Sequence, residues 1–219
     1  MNEFEKILTL GKKMGGSRGG EVQLEDKNVY LTNTKRSSLY KITLKEGLGT
    51  GTFYSNQAMP KSKSIMRREN KVWFQWKENG VIRREFVPNL DSFDKEMEDA
   101  FKNLYSDKKV SIPKSLFEVL IDKFLITRLK IKDNKIYAVQ TRSDGSVGFE
   151  NEIPLSHGLI KVEYPDTEEI SVFTSDLLNL KILLEDDVWF SFAKNKPLSV
   201  TVPFSGGKCQ ALIGKLIYE

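Results

Sequence analysis

The chain repeats itself, and the repeat constrains its fold more than any other feature. Val72-Trp73-Phe74 returns as Val188-Trp189-Phe190, 116 residues later. Each copy runs through a polar turn, Lys77-Glu78-Asn79-Gly80 or Ala193-Lys194-Asn195-Lys196, into a further strand, Val81 to Val87 or Leu198 to Phe204. Upstream, Phe53-Tyr54-Ser55-Asn56 resembles Val172-Phe173-Thr174-Ser175-Asp176, and Asp26-Lys27-Asn28-Val29-Tyr30 parallels Asp133-Asn134-Lys135-Ile136-Tyr137. Thr34-Lys35-Arg36-Ser37 likewise parallels Thr141-Arg142-Ser143-Asp144. The order is the same in both halves, so the chain reads as one structural unit used twice. A length of 219 residues suits two domains of about 100 residues each. The expected division is a first domain over 1–88, a connector over 89–109 and a second domain over 110–219.

Each half carries the same string of elements. A helix opens it: Phe4 to Met14, with Phe4, Ile7, Leu8 and Gly11 on one face, and Pro113 to Phe124, with Leu116, Leu120 and Phe124 on one face. A hairpin follows, with Val22 and Leu24 facing Val29 and Leu31, and Leu129 and Ile131 facing Ile136 and Ala138. A second short helix is expected over Asn56 to Arg68 and over Ser175 to Glu185, and a β-hairpin closes each half. The fold class is therefore α+β: two tandem similar domains, each an antiparallel sheet with two helices on one face. Between them Phe93, Met97, Phe101 and Leu104 fall at helical spacing, an amphipathic connector.

Charge is distributed unevenly. Residues 1–90 hold 17 Lys and Arg against 9 Asp and Glu, whereas residues 110–219 hold 13 against 15. A basic first half favours a polyanionic partner, nucleic acid before membrane, because no basic amphipathic helix with a bulky apolar face accompanies it. No apolar run of about 18 residues is present to span a bilayer. One cysteine, Cys209, allows no internal disulfide and fits a reducing compartment. The expected location is cytoplasmic: the host cytoplasm for a phage protein, the nucleus for a eukaryotic one. A single histidine, His157, and one cysteine make a metal site or a nucleophilic triad improbable. No carboxylate pair stands out as general acid and base. The chain is read as non-enzymatic, with no catalytic residue, metal or cofactor. Glu185-Asp186-Asp187 is the one acidic turn on which a carboxylate metal site of a nuclease could be built.

The tandem α+β units resemble DNA sliding clamps of the proliferating-cell-nuclear-antigen and tailed-phage type. The likeness is clearest over the last fifty residues. There Val172 to Leu180 is similar to the clamps' strand and Ser-x-Asp-Leu-Leu helix start, followed by the acidic turn, Lys196-Pro197-Leu198 and the Gly206-Gly207 turn into a last strand, Gln210 to Tyr218. Phe4-Glu5-Lys6-Ile7-Leu8 and the strands to Leu44 resemble the opening helix and sheet. The first half begins directly at its helix, without the strand that precedes it in clamps, and the chain is basic where cellular clamps are usually acidic.

The resemblance implies a polymerase processivity factor, a viral or phage homotrimer for DNA replication. It would encircle double-stranded DNA without sequence preference and work with a DNA polymerase and a clamp loader. Helices would line the channel, with sheets outside. DNA contacts then fall to Lys12, Lys13 and Arg18; to Lys61, Lys63, Arg67 and Arg68 on the second helix; to Lys114 and Lys123; and to Lys181. Such contacts are electrostatic and carry no sequence information, which permits sliding. Gly15 to Gly20 is expected as a flexible loop that carries Arg18. The partner site implied by the family lies along the connector and the C-terminal tail: Phe93, Met97, Phe101, Leu216, Ile217 and Tyr218. Leu159 to Glu163 and Val81 to Val87 are the expected edge strands for assembly. The alternative is a monomeric or dimeric processivity or transcription accessory factor of the same fold that holds DNA on one face without closing a ring.

Overall fold

A computed structural model describes the chain apart from residues 16, 34–36, 92–95, 105–108, 143, 156–166, 194 and 217–219. It has the α+β class, mostly antiparallel strands with few helices, in two compact units. The first comprises Met1–Lys102 and Phe204–Gln210, the second Asn103–Pro203 and Ala211–Glu219.

The first unit opens with helix α1 (Glu3–Met14). Asn2 caps it: its side chain accepts from the Glu5 N–H at 2.8 Å while the Glu5 carboxylate accepts from the Asn2 N–H at 3.1 Å. Such a reciprocal pair satisfies two otherwise orphaned donors and fixes the helix start. Phe4, Ile7, Leu8, Leu10, Gly11 and Met14 are buried. Strands β1 (Glu21–Glu25), β2 (Asn28–Thr32), β3 (Ser38–Leu44) and β4 (Thr50–Tyr54) form a sheet in the order β4-β1-β2-β3, with Gly207–Gln210 beside β3. In β1 and β2 the pattern is as read: Val22, Leu24, Val29 and Leu31 are buried, and Val22 pairs with Leu31.

A separate three-stranded sheet follows, β5 (Ser64–Arg68), β6 (Lys71–Glu78) and β7 (Val81–Pro88), in the order β5-β6-β7. Asn79 and Gly80 turn β6 into β7 with φ of 49° and 80°, the conformation that two-residue hairpin turns require and that Asn-Gly supplies. One face buries Ile65, Val72 and Phe74, with the Phe74 ring edge-on to Phe53 at 5.0 Å. The connector helix α2 (Glu96–Leu104) begins in this unit and buries Phe101. Its Glu98 acts on buried Tyr30, whose pKa is raised by burial first and then by Glu25 and Glu98.

The second unit contains β8 (Val110–Ile112), α3 (Ser115–Val119), β9 (Ile126–Lys132), β10 (Lys135–Thr141), β11 (Val147–Pro154), β12 (Ile170–Phe173) and α4 (Thr174–Asn179). A 3₁₀ segment, Leu180–Leu183, continues α4 before β13 (Val188–Ser191) and β14 (Leu198–Phe204); β15 (Gly207–Ile213) ends the described strands. One sheet runs β11-β10-β9-β12; in the other, β13 lies between β8 and β14. Val188 and Phe190 are buried while Trp189 is 43% exposed, the same in-out-in pattern that Val72, Trp73 and Phe74 show in the first unit.

Two expected helices differ. Asn56 to Arg68 is not helical: a 3₁₀ turn, Ser55–Gln57, is followed by irregular chain and strand β5. Pro60 lacks an amide donor and pushes Met59 out of the helical region. Ile65 then faces inward between exposed Ser64 and Met66, a two-residue period. The third helix stops at Val119 rather than Phe124. Leu120 is already extended, and buried Gln140 takes up the backbone of Ile121, accepting from its N–H at 2.9 Å and donating to its carbonyl at 3.0 Å. The last strand ends at Ile213, short of Tyr218, and residues 217–219 lie outside the described ones.

Candidate nucleic-acid interface

The best-defined basic group in the first unit lies at the C-terminal end of α1. Lys12 and Lys13 occupy its last turn, exposed, where the helix dipole favours cations. From Ser17 to Gly20 the glycine-rich segment beyond them is hydrogen-bonded to its neighbours. Gly20 N–H donates to the Gly11 carbonyl at 2.7 Å, and Ser55 N–H donates to the Gly20 carbonyl at 2.9 Å. Asn56 holds the other side: its side-chain amide donates to the Ser17 carbonyl at 2.6 Å and its N–H to the Arg18 carbonyl at 3.3 Å. A Cβ on Gly11 would come within 2.8 Å of the Ser55 Cβ, so glycine is what lets α1 approach this turn. Arg18 is thereby fixed, its guanidinium 5.8 Å from the centre of the Tyr54 ring.

The next four sequence candidates do not share one face. Lys61 is exposed in the irregular segment, 3.5 Å from Glu78, an exposed pair of small energetic consequence. Lys63 precedes β5 and its N–H donates to the Gln75 carbonyl at 3.0 Å. Arg67 and Arg68 are exposed neighbours on β5 and point to opposite faces of it.

In the second unit Lys114 is the residue before α3. Its N–H donates to Asp187 Oδ1 at 3.0 Å and its ammonium to the Glu185 carbonyl at 3.4 Å. Part of the acidic turn therefore anchors the start of α3. Among the described residues there is no group of three or more His, Cys, Asp or Glu placed to hold a metal ion. His157 lies outside the described residues. Lys123 is on a turn beyond the shortened α3, with its ammonium 5.2 Å from the Phe124 ring centre, and Lys181 is exposed on the 3₁₀ segment after α4.

Of the partner-site residues, Phe101 is buried on α2 and Leu216 is half-buried, its N–H donating to the Ser171 carbonyl at 2.8 Å. Lys215 beside it donates to the Ala193 carbonyl at 2.8 Å, and its pKa is lowered by desolvation. Phe93, Ile217 and Tyr218 fall outside the described residues, as do the surroundings of the Met97 side chain. Leu159 to Glu163, one of the two expected edge strands, also falls outside them.

Among the described residues, β7 ends the three-stranded sheet and β11 the four-stranded one, with no further strand paired to either. Strand β7 exposes Val81, Ile82 and Phe86 and carries Arg83 and Arg84 against Glu85; β11 exposes Val147 and Phe149 and carries Glu150 and Glu152. Sequence reading missed β11 because an edge is a property of strand order. Among the described residues no helix is long and apolar enough to cross a membrane.

No protein-family model matches the sequence, and no curated protein matches it. Solved structures do match by fold. One is the crystal structure of the proliferating cellular nuclear antigen from Entamoeba histolytica, with a TM-score of 0.66 over 98% of this chain and 95% of that chain, at 12% identity. The chain has a sliding-clamp-type fold.

Proposed function

We propose that this protein is a DNA sliding clamp, a non-enzymatic processivity factor that encircles duplex DNA and tethers a polymerase to it. The observation that carries the reading is the clamp-type fold across 98% of the chain, joined to a basic surplus confined to the first ninety residues. Lys12, Lys13 and Arg18, held at one end of α1, are the leading phosphate contacts. Lys61, Lys63, Lys114, Lys123 and Lys181 add further ones, and Arg67 and Arg68 stay candidates on either face of β5. Contacts of this type weaken steeply with salt and leave the protein free to slide.

Three copies would supply six similar units. The two edge strands fit one another: β7, apolar and basic, is complementary to β11, apolar and acidic. A head-to-tail pairing of β7 with the β11 of the next copy is heterologous and generates a ring when the rotation closes. Polymerase and clamp loader would dock along α2 and the C-terminal tail. Deleting Leu216 to Glu219 should abolish polymerase stimulation and leave oligomer mass and DNA binding intact; full stimulation by the shortened protein moves the docking site elsewhere.

The net charge of +4 favours a second reading, an open form that holds DNA on a basic face by charge alone. Retention on DNA in high salt separates the two. A clamp loaded on a closed circle stays when phosphate contacts are screened and leaves once the circle is cut. Equal loss from circular and linear DNA identifies the open form.

A further inference from the structure

Of the duplex contacts proposed above, Arg68 alone lies on the face of the β5-β6-β7 sheet opposite Phe74. Strand register lays four rows across it. Met66, Trp73 and Phe86 are cross-strand partners in one row. Arg68, Lys71 and Pro88 form the row on one side, Ser64, Gln75 and Arg84 the row on the other, and Lys77 and Ile82 the last. Same-face residues along a strand lie about 7 Å apart, so the rows cover about 20 Å.

The Trp73 and Phe86 rings sit 5.0 Å apart, and the Lys71 ammonium lies 4.3 Å from the Phe86 ring centre. Phe86 is 49% exposed and Met66 42%. Every ionisable side chain in the four rows is a cation, Arg68, Lys71, Lys77 and Arg84, and all four are exposed. Arg84 donates to Gln75 at 3.1 Å. Among the described residues none of the four is paired with a carboxylate.

We propose that this face binds single-stranded nucleic acid. The exposed Phe86 ring with the half-buried Trp73 ring beside it offers a platform on which unpaired bases stack, and cations before and after it meet the phosphates. A duplex cannot use such a platform, because its bases already stack on each other. An acidic protein segment would meet the same cations. Its tight anchoring, however, rests on side chains filling a concavity, whereas here the Phe86 ring lies exposed on the sheet face. The inference does not depend on ring closure.

The test is binding of a fluorescent oligo-dT of about twelve nucleotides to the full chain, followed by anisotropy across a salt series. Phe86→Ala should weaken binding at least about fivefold, the low end for one lost stacked base. Lys71→Glu with Lys77→Glu should lower the slope of log affinity against log salt by about 1.4, at about 0.7 per phosphate contact on a single strand. Both variants should keep the parent's unfolding midpoint within a few degrees and its duplex affinity. Oligo-dT binding that is absent, or unchanged in both variants, overturns the proposal. So does Phe86-dependent binding of a Glu- and Phe-rich peptide without oligo-dT binding, which makes the face a protein-docking surface. Loss of retention on circular DNA with oligo-dT binding intact would sink the clamp reading and leave this one standing.

Discussion

The two units begin their second helix from similar strand ends and then part. In the second unit, Thr174–Asn179 and Leu180–Leu183 form ten residues of continuous helical turns, with Leu177, Leu180 and Leu183 buried at three-residue spacing. In the first, the matching turn lasts three residues, Ser55–Gln57, and the chain beyond it offers Ala58 to the core before Pro60 ends any helical course. Short helices are marginal without an apolar face to bury, so leucine spacing, not the shared strand end, decides which copy stays helical. The first unit uses the place differently. Its 3₁₀ turn holds the backbone of Ser17 and Arg18, with the Arg18 guanidinium over Tyr54, while the second unit's Lys114 is tied to its own acidic turn. The basic surface is thus a property of one copy of the repeat.

The comparison can be broken at its core first. Phe74→Ala and Phe190→Ala remove equivalent buried rings, which contact Phe53 and Phe117 respectively. Each should cost about 3–5 kcal/mol in denaturant unfolding, whereas Trp189→Ala, exposed between them in pattern, should cost well under half as much. Equal losses for Phe190 and Trp189 would refute the in-out-in assignment. Next, Leu177→Ala should cost about 2–5 kcal/mol and Gln57→Ala, on the first unit's exposed turn, less than about 0.5 kcal/mol. A large effect at Gln57 would mean that the turn stores more of the first unit's stability than its burial allows.

A smaller effect separates the units by charge. Lys12→Glu with Lys13→Glu should lower the salt slope of duplex binding by about 1.8, at about 0.9 per phosphate contact. Lys114→Glu should lower it by less, since that ammonium already has a carbonyl partner. Salt titrations that rank the two in the opposite order would place the principal DNA contacts in the second unit. The smallest effect is chemical. Cys209 is fully buried, and burial pushes its thiol pKa upward, so a thiol reagent should leave the native chain unlabelled and react once it is unfolded. Rapid labelling of the native chain would show that β15 opens.

Much of this was legible in the sequence. The apolar positions of α1 and the repeated Val-Trp-Phe follow from period, because burial of one face selects them; β1 and β2 keep Val22, Leu24, Val29 and Leu31 inside but bury Gln23 and Tyr30 between them as well. The run Lys61 to Arg68 misled because dense Lys and Arg satisfy a helix as well as a strand. Pro60 and the isolated inward Ile65 were the signals against it. The length of α3 was not readable locally, since Gln140, nineteen residues beyond Ile121, takes up the backbone just past that helix through tertiary hydrogen bonds. Lys71, Trp73, Gln75 and Lys77 alternate in plain view, yet only the register with Met66 and Phe86 makes them one face.

Assembly is the claim on which the proposed function stands, and solution mass tests it most directly. For a chain of 25.1 kDa, sedimentation equilibrium at tens of micromolar should give about 75 kDa, three copies in a closed ring. That mass should fall toward the monomer when Glu150 and Glu152 on β11 are both changed to Lys, opposing the arginines of β7. A mass of one chain at that concentration, with and without DNA, would contradict the account.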